Sequence, residues 1–101
     1  MVKQSGRRYG SAAVVTFQGA KVKGRGVTFG IAIVPLNAIT NEVEADRMID
    51  DFRNLVFRGI PVVLMALDPQ GTPTYYGRAD LVRFLLKADV GRIPWIEYSI
   101  Q

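Results

Sequence analysis

Pro61-Val62-Val63-Leu64-Met65-Ala66-Leu67 is an unbroken apolar run rich in β-branched and aliphatic residues. A strand with one wet face alternates in polarity, so a run without alternation marks a strand covered on both faces or set at a well-buried position of a sheet. The run is therefore expected to be the central strand, and the other elements are arranged around it. Directly after it, Asp68-Pro69-Gln70-Gly71 places Asp first, Pro second and Gly last, the residues a β-turn favours at those positions. The turn leads through Thr72 and Pro73 into Thr74-Tyr75-Tyr76, which makes a hairpin.

On the N-terminal side of the run the periodicity changes. Ala45, Met48, Ile49, Phe52, Leu55 and Val56 recur at three- and four-residue spacing and predict one apolar stripe of a helix. Asn41, three residues before Glu44, matches an N-cap with a capping-box partner, and Glu42, Glu44 and Asp46 set negative charge where the helix dipole favours it. Gly59 and Pro61 end the helix. Further upstream, Ser11–Gly19 and Val27–Val34 read as strands, with Ala20–Gly26 as a solvated loop between them that carries Lys21, Lys23 and Arg25. Gly30 inside the second strand signals a bulge or a close packing approach. Downstream, a short helix is expected from about Ala79 to Ala88, and Pro94–Ile100 alternates as a final strand.

The expected order is ββαββαβ: an α+β two-layer sandwich, with about five strands in a mixed or mostly antiparallel sheet and two helices on one face. At 101 residues with 49% hydrophobic content, the chain reads as a single domain over 1–101, residues 1–10 forming a flexible basic tail. Arg58-Gly59-Ile60-Pro61, the apolar strand, the hairpin, Gly77 and the helix after it resemble the C-terminal half of thioredoxin-family domains, in which a cis-proline precedes that strand. The resemblance covers that part of the chain alone. It implies, as the alternative fold, a thioredoxin-like variant without cysteine, which could not run the family's redox chemistry.

Histidine and cysteine are both absent. Acid/base relays near neutral pH, thiol nucleophiles and tight transition-metal sites lean on those residues, so an enzyme is disfavoured and no metal or cofactor is expected. The adjacent Asp50 and Asp51 diverge by about 100° on a helix and cannot share one substrate. Gly19, Gly24, Gly26 and Gly30 fit neither P-loop nor dinucleotide spacing. The net charge of +4 is unevenly spread: residues 1–41 carry six cations and no acid, whereas residues 42–101 carry seven cations and nine acids. A field of that kind attracts polyanions when the side chains share one face.

Three sets of residues are candidates for function. Arg7, Arg8, Lys21, Lys23 and Arg25, with Tyr9 and Phe17 close in sequence, form the set for polyanion or nucleic-acid binding. Trp95 and Tyr98, on a final strand that suits a sheet edge, are the interface set for a homodimer or a protein partner. Asp68, Tyr75, Tyr76 and Arg78 form a pocket set for a ligand or a small enzyme. The leading expectation is a non-catalytic interaction module acting through protein contact or self-association, with nucleic-acid binding through the basic hairpin as the alternative. No run is long enough for a membrane span and no leader core is visible, which points to a cytoplasmic protein.

Overall fold

In the computed structural model, which describes residues 15–100, the apolar run becomes β3 (Val62–Leu67), with Val62 to Ala66 all buried. The remaining elements are β1 (Val15–Gly24), β2 (Val27–Ile33), α1 (Glu42–Leu55), β4 (Pro73–Tyr76), α2 (Ala79–Leu86) and β5 (Ile96–Ile100). Single 3-10 turns lie at Leu36–Ala38 and Val90–Arg92. The five strands form one mixed sheet in the order β4-β3-β2-β1-β5. Only β2 and β3 run parallel, because α1 must cross over between them; the other neighbours are antiparallel. The expected α+β class, the five-stranded mixed sheet, the two helices and their order are all present.

The single-face placement of the helices is corrected. Ala45 and Phe52 of α1 pack with Ala32, Val34, Val62 and Leu64, whereas Leu81 and Leu85 of α2 pack with Phe29, Ile31, Val63 and Met65. Neighbouring residues of β2 and β3 thus divide between two clusters, with one helix on each face. Two distant segments compete for apolar cover, and β3, apolar on both sides, needs both of them.

Local chemistry explains the element ends. The Asn41 side chain accepts the Glu44 N–H at 3.2 Å, while the Glu44 carboxylate turns to Arg47 instead of closing the capping box. Leu55, expected in the buried stripe, is 63% exposed, since the chain leaves the helix at Val56 and Phe57 takes the core position. In the turn after β3, Asp68 accepts from the backbone N–H groups of Gln70 and Thr72, as Asp does in such turns. The seven-residue loop expected at Ala20–Gly26 is also corrected: β1 continues to Gly24, paired with Val27, and the connection is Arg25-Gly26 alone. Both turn residues have positive φ, 54° and 76°, the handedness that matches the twist of a two-residue hairpin. The part of the first predicted strand before Val15 lies outside the described residues. No peptide bond among the described residues is cis, so Pro61 lacks the feature that tied this region to thioredoxin.

Candidate anion-binding groove

The register of the sheet decides what the hairpin presents. Gly30 donates its N–H to the Pro61 carbonyl and Val34 to that of Met65, so even-numbered residues of β2 aim their backbone groups at β3 and odd-numbered ones at β1. Lys21 and Lys23, opposite Gly30 and Thr28, therefore aim their own N–H and C=O groups away from β2. There β5 has already ended, since its last pairing with β1 is Ile96 with Gly19. The edge of β1 from Lys21 to Lys23 is left facing a cleft.

Helix α2 and the turn after it supply the other wall. One cleft of about 530 Å³ runs from Lys21 and Lys23 to Arg92, over Val22, Leu85 and Ile93. A second, of about 370 Å³, lies between Arg25 at the hairpin tip and Arg83 and Lys87, which stand one helical turn apart. The two share Phe84 and Ala88, so they form one continuous groove. Phe84 is half-buried, edge-on to Phe29 at 6.2 Å, and lies against Gly24, where a Cβ would stand 2.6 Å from its ring. Four exposed cations, Arg25, Arg83, Lys87 and Arg92, surround this one aromatic side chain, against a single acid, Asp89; Lys21 and Lys23 border the groove with the strand edge, while their side chains alternate with Val22 and Gly24 onto the α1 face. Asp89 lies 3.7 Å from Arg92, and among the described residues Arg25, Arg83 and Lys87 make no ion pair.

Of the cations named from the sequence, Arg25 brings its side chain to the groove, while Lys21 and Lys23 give it only the backbone edge of β1. Arg83, Phe84, Lys87 and Arg92 were missed, although the four-residue spacing of Arg83 and Lys87 was an available signal. Arg7, Arg8 and Tyr9 lie outside the described residues. Phe17 cannot stack on a ligand here: it packs 4.6 Å from Phe52 and 5.4 Å from Tyr98, on the α1 face.

The pocket set is dispersed. Asp68 is occupied in its turn. Tyr75 and Tyr76 point to opposite faces, Tyr75 into the α2 cluster and Tyr76 toward α1. Burial raises the Tyr75 hydroxyl pKa, and that hydroxyl has no hydrogen-bond partner among the described residues. The Tyr76 hydroxyl donates to Asp46 at 2.8 Å, a hydrogen bond that raises its pKa. Tyr76 and Arg78 do share a shallow cleft with Asp46 and Arg53, but Arg78 is turned to Asp80 in a two-point ion pair at 2.7 and 2.9 Å. That pairing holds Asp80 at about 2, well below an ordinary carboxylate. The interface set is engaged within the fold as well: the Trp95 indole donates to the Val90 carbonyl at 3.1 Å from a half-buried position just before β5, and Tyr98 stacks among Phe17 and Phe57.

Among the described residues no helix is long and apolar enough to cross a membrane, and no three acidic, His or Cys side chains gather as metal ligands. No protein-family model matches the chain, no curated protein is significantly similar to it, and no solved structure matches its fold significantly.

Proposed function

We propose that the protein is a non-catalytic binding module whose ligand is single-stranded nucleic acid, held in the groove between the β1–β2 hairpin and α2. The observation that carries this is the convergence of Arg25, Arg83, Lys87 and Arg92 around Phe84, from segments about sixty residues apart in sequence. Cations neutralise phosphates whatever the sequence, and an aromatic face beside them accepts an unpaired base. A duplex hides its base faces, so the one stacking residue favours single strands.

Fluorescence anisotropy of a labelled single-stranded oligonucleotide between about 50 and 200 mM salt tests the reading. With Arg25, Arg83 and Lys87, which lack an ion-pair partner among the described residues, each meeting one phosphate, the log–log salt slope is about −2, a loss of affinity of roughly 20-fold over that range. Replacing Arg25, Arg83 and Lys87 by alanine removes these contacts and brings the slope toward zero. Phe84→Leu keeps an apolar side chain without a stacking face and weakens binding by about 1–3 kcal/mol with the slope unchanged. No saturable binding at the lowest salt, or a slope that the triple variant leaves unaltered, refutes the proposal.

A further inference from the structure

The two edges of the sheet are built differently. On one side β4 is short and begins with Pro73, devices that blunt an edge against pairing with another chain. On the other, β5 has five residues, no proline, no lysine, and Glu97 as its only charge. The parity derived from the β2–β3 hydrogen bonds carries through the register to β5. Phe17 and Gly19 aim their backbone groups at Tyr98 and Ile96, so Ile96, Tyr98 and Ile100 bond inward to β1. Glu97 and Ser99 therefore aim their N–H and C=O groups outward, where they meet no strand among the described residues.

We infer that β5 pairs antiparallel with β5 of a second copy, about a two-fold axis at Tyr98. That axis sets Glu97 opposite Ser99 of the partner subunit, and these two positions are the ones whose backbone groups point outward, so each pair exchanges both of its hydrogen bonds. No like charges stand opposite each other. On the α1 face Ile96, which is 53% exposed, comes to lie opposite Ile100 of the partner subunit. A strand shifted by one residue has neither match: it aims its outward groups at inward-bonded ones and sets Ile96 against a polar neighbour. The pairing stops before Lys21, so the groove stays open in the dimer and two grooves share one continuous sheet.

Sedimentation velocity of the full chain without nucleic acid, from about 1 to 500 micromolar to cover the weak range expected of a small interface, is the test. Both Glu97 and Ser99 are exposed, so charges placed at Ser99 leave the monomer fold intact, which circular dichroism at low concentration checks. Ser99→Lys sets opposite charges against Glu97 of the partner subunit twice per dimer and tightens dimerisation by about three- to ten-fold; Ser99→Glu loosens it by a similar factor. Raising the salt shrinks both effects. A chain that is monomeric throughout, or one whose Lys and Glu variants dimerise equally, overturns the inference.

Discussion

Gly30→Ala tests the packing argument most directly. An alanine Cβ at this position stands 2.6 Å from Cγ and Cδ1 of Phe57, a distance that side chains do not tolerate. The ring has nowhere to go: Phe57 is 1% exposed and lies 5.3 Å from the ring of Tyr98 on the α1 face. Overpacking at such a site costs about 1–3 kcal/mol, while the alanine recovers about 0.5–1 kcal/mol by restricting the unfolded chain. A net loss of about 1–2 kcal/mol lowers the melting temperature of a domain this size by roughly 4–16 °C. Gly24→Ala is the control. Its Cβ stands equally close to a ring, that of Phe84, but Phe84 is half-buried and can swing toward solvent. The cost there is under about 0.5 kcal/mol, at the level of a surface change, and the displaced ring weakens oligonucleotide binding instead. Urea denaturation with equal slopes for all variants gives both numbers. Phe57→Leu combined with Gly30→Ala should lose less than the sum of the two single changes, because the leucine makes room for the methyl group. Equal stability of Gly30→Ala and wild type, or equal losses at positions 30 and 24, would refute the reasoning.

The adjacent tyrosines should respond in opposite directions. Tyr75→Phe removes a buried hydroxyl without a partner among the described residues and stabilises by about 1 kcal/mol, whereas Tyr76→Phe breaks the bond to Asp46 and destabilises by about 0.5 kcal/mol; losses at both sites in thermal melts would contradict this. Asp80 gives the pH dependence. Its pKa is about 2 in the fold against 3.8 ordinarily, so the unfolded chain takes up the proton first as pH falls. The Arg78–Asp80 contribution is therefore complete above about pH 5 and lost on falling toward pH 2. The difference in melting temperature between wild type and Asp80→Asn should be constant from pH 5 to 7 and close toward pH 2; a difference independent of pH would rule out the ion pair as its source.

The sequence by itself determined what lies within a few residues of its cause. Asn41 caps its own helix, Asp68 its own turn, and the spacing from Ala45 to Phe52 sets a helical stripe. Pro61–Leu67 even carried the evidence for cover on both faces, although assigning both helices to one face left that evidence unused. What the tertiary structure decided is whatever depends on segments that meet only after folding. Which helix covers which face follows from Phe29 and Ile31 choosing α2 while Ala32 and Val34 choose α1. The length of the hairpin follows from Arg25 accepting a left-handed backbone so that Gly24 can pair with Val27. The groove follows from the sheet order: Arg25 was singled out in the sequence, but Arg83, Phe84, Lys87 and Arg92 join it only because α2 returns across the sheet toward β5, and the register turns Lys21 and Lys23 to the other face. Local hydrogen bonds and periodicity are short-ranged and can be read along the chain. Burial and charge clustering are sums over distant residues, and only the packed chain fixes them.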